Sequence, residues 1–153
     1  MTTAERGKRK IRIRPMESED IDSVLAIDRK ITGVRRVVTF TELITGDLGG
    51  VLGLSIVAEV DGQVAGFVLA RRAFVGEPAT EVGLIQILGV GPDYQRQGIA
   101  TKLVNALLDA CKSKKLNAVR IIVNERDRQL QGLFEHLGFR RGKLIDYTKA
   151  FES

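Results

Sequence analysis

Apolar residues fall along this chain in three patterns, each of which predicts a different kind of element. Ile11 and Ile13 alternate with Arg12 and Arg14 up to Pro15, a period of two that predicts a first strand with one apolar face. Ser18-Glu19-Asp20 can open a helix, and Ile21, Val24, Leu25 and Ile31 recur at helical spacing as far as Gly33. Residues 39–47 predict a second, shorter helix before Gly49-Gly50. Strands are predicted over 55–60 and 63–74, joined by Asp61-Gly62, a pair that tolerates the positive φ of a type I′ hairpin turn. The third pattern is a nearly unbroken apolar run, 82–90, which reads as a buried strand ended by Gly91-Pro92.

Beyond that run, Ile99, Leu103, Ala106, Leu107 and Ala110 mark a helix over about 98–115, with Lys102, Asp109 and Lys112 on its other side. A strand at 118–123, a helix at about 128–138 with Leu130, Leu133, Phe134 and Leu137 on one stripe, and strand segments at 139–142 and 144–150 complete the pattern. The order β-α-α-β-β-β-α-β-α-β-β is that of an α/β chain with a mixed, α+β-type sheet rather than a doubly wound one. Residues 1–9 are expected to be a disordered basic tail and 10–153 a single domain, since 153 residues leave no room for a second core.

Charge narrows the function classes. The chain carries 24 Lys and Arg against 19 Asp and Glu, but six of the bases lie within residues 1–14 and the remainder is balanced. Phosphate binding needs a basic face on the folded body, so nucleic acid is not an expected partner. The single cysteine, Cys111, excludes an internal disulfide and sits among helix apolar positions, which favours a core thiol. No apolar run approaches the length of a membrane span; a cytoplasmic protein with no membrane partner is expected, and no cluster of residues suggests a metal.

The candidate chemistry lies in Pro92-Asp93-Tyr94-Gln95-Arg96-Gln97-Gly98-Ile99-Ala100, between the buried strand and the next helix. A helix start presents main-chain N–H groups without partners and a positive dipole end, and Gly98 and Ala100 let anionic oxygens come close. Neither the dinucleotide fingerprint nor the Gly-Lys-Ser/Thr triphosphate loop is present. Gln95-x-x-Gly98-x-Ala100, followed downstream by Leu133-Phe134-Glu135-His136-Leu137-Gly138-Phe139, resembles the cofactor signature and closing helix of the GNAT superfamily of acetyl-CoA-dependent N-acetyltransferases.

The resemblance implies a GNAT-like acyl-CoA N-acyltransferase fold with splayed central strands, and acetyl-CoA (coenzyme A) as co-substrate. It implies that Gln95, Arg96, Gln97, Gly98, Ile99, Ala100 and Thr101 serve the pyrophosphate and that the backbone of Leu88 and Val90 serves the pantetheine arm. Asp127 and Phe134 stand where relatives place further cofactor contacts. The chain departs from the family at three positions: Phe134 replaces the tyrosine that often protonates the departing sulfur, Asp127 stands where an asparagine is common, and Ile122 stands where a glutamate base is common. Replacements are sought in Tyr147, on the predicted last strand, and Glu81, at the start of the strand before the cradle. Glu125 and Asp127 flank the expected cleft mouth, with an N-cap as the plain reading of Asp127 and a surface position as that of His136.

The acceptor is expected to be a primary amine, on a small molecule or at a protein N-terminus or lysine. Its selection is expected to fall to residues 32–50, which include Arg35, Arg36 and Glu42, and to a lid at 75–80 containing Gly76 and Pro78. Relatives of this kind also pair through exposed strands, so a homodimer is among the expectations. The alternative function is a non-catalytic acyl-CoA-binding sensor or scaffold module, motivated by the loss of both usual proton-handling groups.

Overall fold

In the computed structural model, residues 10–33 and 53–152 are described. The predicted tail 1–9, the helix 39–47 and most of the specificity segment 32–50 lie outside them. Five strands, β1 (Ile11–Pro15), β2 (Ile56–Val60), β3 (Gln63–Val75), β4 (Thr80–Val90) and β5 (Val119–Ile121), form one sheet in that order. The first four are antiparallel neighbours and β5 runs parallel to β4. Helix α1 (Ile21–Thr32) covers one face, while α2 (Ile99–Ser113) and α3 (Arg128–His136) cover the other. Predicted and observed ends agree to within three residues for all these elements, and Asp61 and Gly62 have the expected positive φ, 51° and 83°.

The two final strand segments are not formed. Residues 140–152 are exposed throughout and pair with nothing among the described residues. Alternation fixes which side chains would share a strand face, but a strand also needs a neighbouring edge, and this segment leaves the edge of β5. The loop expected as a lid is instead a tight turn, residues 76–79, at the tip of the long β3–β4 hairpin.

Two cores flank the sheet. Met16, Val24, Ile27, Val57, Phe67 and Leu69 pack under α1. Val68, Ala70 and Ile85 pack with Ile99, Leu103, Leu107, Cys111 and Phe134 under α2 and α3. Missing side chains set the height of α2. A Cβ on Gly66 would lie 3.1 Å from Ile99 Cγ2 and 3.3 Å from Leu103 Cδ1, and one on Gly83 would lie 2.7 Å from Cys111 Sγ. The helix therefore rests on bare backbone of the sheet near both of its ends.

One charged cluster ties β1 to its neighbours. Arg14 donates from Nη1 and Nη2 to the two carboxylate oxygens of Asp20 at 2.7 and 2.8 Å, and from Nε to Glu59 Oε1 at 2.7 Å. Asp20 also accepts the Glu17 N–H at 2.8 Å, which fixes the turn leading into α1. The Arg14 hydrogen bonds hold the buried Asp20 carboxyl below its ordinary range against the opposing effect of burial.

A carboxyl depressed in the folded state stabilises fully above the unfolded value, about pH 4, and loses that contribution as pH falls through the lower folded value. Asp20→Asn is expected to cost about 2 kcal/mol in urea unfolding at pH 7, with the gap from the parent narrowing below about pH 4.

Candidate functional site

The site begins at an irregularity in β4. Leu69 pairs with Ile87 and Ala70 with Ile85, so Gln86 is an extra residue, a β-bulge. On the other side, β4 pairs with β5 through only Gly83↔Val119, Leu84↔Arg120 and Ile85↔Ile121. Pairing thus stops at the bulge, and β4 continues to Val90 with no strand neighbour on that edge among the described residues. The result is a cleft whose vertex is at residues 85–86 and whose one wall is main chain.

Hydrogen-bond direction assigns the groups on that wall. Gly91 N–H donates to Ala65 O at 2.7 Å, toward β3. Successive peptide groups of a strand alternate, so those of Val90 and Leu88 point the opposite way, into the cleft. The Val90 carbonyl accepts from Gln95 Nε2 at 3.4 Å, an attachment that holds the following loop against the strand end. Gly89 keeps regular register opposite Phe67, and a Cβ there would press on the Phe67 ring at 2.8 Å.

The open edge leads to the start of α2. Arg96 has φ 65° and Gly98 φ 75°, while a short 3₁₀ turn, Pro92–Tyr94, carries the chain over from β4. Such left-handed residues around a helix start turn consecutive N–H groups toward one concavity. Gly98 is the N-cap, no side chain caps the first turn, and a Cβ at Gly98 would meet nothing within 4 Å. The first-turn amides of α2 thus have no side-chain cap among the described residues, with the exposed Gln95 and Arg96 beside them and Gln97 half-buried. Ile99 is anchored in the core, which fixes the first turn from below.

Beyond β5, Asp127 caps α3 by accepting the Leu130 N–H at 3.0 Å, as its plain reading expected. Glu125, Arg126, Arg128, Gln131 and Arg141 line a recess of about 440 Å³ at that helix start, mostly basic in character. The helix ends in a Schellman motif: Phe139 N–H donates to Phe134 O and Gly138 N–H to Glu135 O, with Gly138 at φ 91°. Phe134 and Phe139 meet edge to face, centroids 4.9 Å apart. Leu-Gly-Phe is thus a helix stop, and Phe134, 4% exposed, is a core residue.

The two replacement candidates are not brought to the vertex within one chain. Glu81 lies five residues before the bulge, about 17 Å along the strand, and faces Arg72 Nε at 3.4 Å. Tyr147 is 90% exposed on the unpaired C-terminal segment rather than on a strand. His136 is exposed, and Ile122 is exposed just past β5. Burial pushes the Cys111 thiol up, as befits a core residue. Two vertex residues were missed. Gln86 was legible as the one polar residue in the run 82–90; Arg120, whose Nε is buried with no hydrogen-bond partner among the described residues, carried no signal in its spacing. The described residues contain no metal-ligand cluster and no helix long and apolar enough to cross a membrane.

A family model described as Acetyltransferase (GNAT) family matches residues 28–139. Probable N-acetyltransferase camello of Xenopus tropicalis is 32% identical over 91 residues, 58% of this chain; the chain spans 39% of that relative's length. Among solved structures, AAC(6')-Iy in complex with the bisubstrate analog CoA-S-monomethyl-acetylneamine superposes with a TM-score of 0.78 at 18% identity, covering 93% of this chain and 99% of that one. The ribosomal-protein-S18-alanine N-acetyltransferase from Escherichia coli superposes at 0.72 and 21% identity, covering 88% and 80%. At these identities the structural likeness establishes the fold.

Asp127→Ala is expected to cost about 1 kcal/mol of stability in chemical denaturation through loss of the α3 cap, and Asp127→Ser to recover most of it.

Proposed function

The chain belongs to the Acetyltransferase (GNAT) family, and from that premise we propose that it transfers the acetyl group of acetyl-CoA to a primary amine by direct attack within a ternary complex. The observation that carries this reading is the unpaired edge of β4 running from the bulge at Gln86 to the glycine-capped start of α2. An extended amide-bearing arm adds to such an edge as a strand would, and a diphosphate at the strand's end meets the amides of residues 96–101. Arg96 adds a positive charge there.

Acetyl-CoA supplies a thioester, whose acyl carbon accepts the amine and whose sulfur leaves. The chain's part is positional and electrostatic. The cleft-facing peptide groups of Leu88 and Val90 hold the arm, and one N–H among them faces the thioester carbonyl. A donor fixed in that way is worth about 3 kcal/mol as negative charge develops on the oxygen. Gln86, at the vertex, is the nearest polar side chain on the strand.

Proton handling falls to solvent. A lysine-like amine is only about 0.1% neutral at pH 7.4, and its deprotonation costs about 4 kcal/mol. Ile122 offers no base, Glu81 is engaged with Arg72, and the Phe134 ring has no proton for the leaving thiolate. The open cleft admits water to both. The names of the structural relatives suggest two acceptors to try, an aminoglycoside and a peptide with N-terminal alanine, and a lysine peptide adds a side-chain primary amine to the panel.

Calorimetry with coenzyme A and thiol release over that amine panel test the reading. Gly98→Glu is expected to weaken coenzyme A binding at least tenfold, because the new carboxylate occupies the open space before the α2 amides. With a lysine-like acceptor, turnover is expected to rise about tenfold per pH unit between 6 and 9, without a bell; with an N-terminal α-amine the rise levels off at about pH 8. Binding with no turnover on any amine would favour the sensor module; no binding at all would overturn both readings.

A further inference from the structure

A row of three residues crosses the sheet just before the vertex of the cleft. Arg71 on β3 pairs with Leu84 on β4, and Leu84 with Arg120 on β5. The preceding row settles which face they occupy. A Cβ on Gly83 would meet Cys111 Sγ of α2 and, at 3.7 Å, Val119 Cγ2 of β5, so Gly83 and Val119 point toward α2. One residue further along each strand, side chains point to the opposite face, that of α1. There α1 packs against Val57, Phe67 and Leu69, with Ile87 at its margin, and Leu84 packs with neither core. Resting on the acetyl-transfer reading, we propose that Arg71 and Arg120 select the acceptor: the amine carries an anionic group, a carboxylate, which these two guanidinium groups clamp.

The two faces of the sheet differ in how their arginines are matched. On the α2 face, Arg72 meets Glu81 at 3.4 Å. On the α1 face, neither Arg71 nor Arg120 has an acidic partner among the described residues, and the Nε of the half-buried Arg120 has no hydrogen-bond partner there at all. The chain leaving α3 supplies no acid either. A Cβ on Gly142 would lie 3.5 Å from Arg120 Nη1, and the charged residues around Gly142 are Arg140, Arg141 and Lys143. A partly buried guanidinium without a counter-charge is costly, and carboxylate oxygens accepting from its Nη donors offset that cost. The planar fork of arginine matches a carboxylate in two bonds, which a lysine cannot do. Arg71 and Arg120 leave the backbone about 10 Å apart, on either side of Leu84, within reach of one anionic group.

Placement sets the shape of the acceptor. The diphosphate cradle belongs to α2, so the thioester arm enters from the α2 face and the amine meets it from the α1 face, where the two arginines stand. Leu84 lies two residues before the bulge and four before Leu88, so the clamp and the reacting carbon are separated by on the order of 10 Å along β4. The α-amine and α-carboxylate of a single amino acid are too close together to span that distance. Two sources present the required chemistry: the N-terminus of a peptide with Asp or Glu two residues on, and the side-chain amine of a free diamino acid.

Acceptor pairs that differ by one carboxylate test the clamp. Calorimetry on the full chain, with and without coenzyme A, compares amidated Ala-Ala-Asp-Ala with amidated Ala-Ala-Asn-Ala, and free lysine with the diamine left when its carboxyl group is removed. The first pair reads the peptide source and the second the free one. The acidic member of at least one pair is expected to bind at least about tenfold more tightly, and Arg71→Gln and Arg120→Gln each to erase most of that preference. Circular dichroism confirms the fold of each variant. Because Arg120 is half-buried, Arg120→Lys is measured beside it and is expected to retain only part of the preference, since the charge stays and the fork is lost. No preference in either pair, or a preference undiminished in the folded variants, overturns the proposal. The readout is acceptor binding: carboxylate-dependent binding without thiol release from any amine would keep the clamp and sink the catalytic reading, and turnover indifferent to acceptor charge would do the reverse.

Discussion

Everything at the cleft depends on one extra residue in β4. Up to Ile85 the strand has neighbours on both sides; at Gln86 the register with β3 slips by one while pairing with β5 ends. The slip reverses which peptide groups face which side. Without it, the Gly91 contact to Ala65 would be out of phase with the Gly83 contact to Ala118, and strand and loop could not both be satisfied. A bulge also increases local twist, which turns the end of β4 away from β5. The edge of β4 is open from the point where its register slips and β5 ends, at Ile121.

Seating of the helices converts that edge into a site. Gly66 and Gly83 let α2 settle onto the sheet, with Ile99 buried at one end and Cys111 at the other. The first turn of α2 is therefore fixed relative to the end of β4, and the Gln95 contact to the Val90 carbonyl closes the short path between them. On the opposite face, Arg14, Asp20 and Glu59 bind β1, the turn before α1 and β2 into one block.

What the sequence made legible follows from which interactions are local. The Asp61-Gly62 turn, the Gly91-Pro92 strand end, the glycine at the α2 start and the Leu-Gly-Phe helix stop each depend on a few adjacent residues, and each is found where expected. The bulge depends on pairing between β3 and β4, so Gln86 showed only as a polar residue out of place. Tyr147 was misplaced because alternation marks a strand face but not the edge it joins. Glu81 stands at the start of the strand before the cradle, but pairing with β5 continues to Ile85, so the cleft opens five residues further on. Asp127 caps α3 and Phe134 fills the core, structural roles that the spacing of α3 alone makes readable.

The burial of Cys111 has a practical corollary. It is the only sulfhydryl in the chain, it lies pressed against the Gly83 backbone, and burial keeps it in the protonated form that reacts slowly with electrophiles and disulfides. A chromogenic disulfide reagent added to the native protein should register almost no background from the polypeptide itself, and unfolding should reveal a single equivalent.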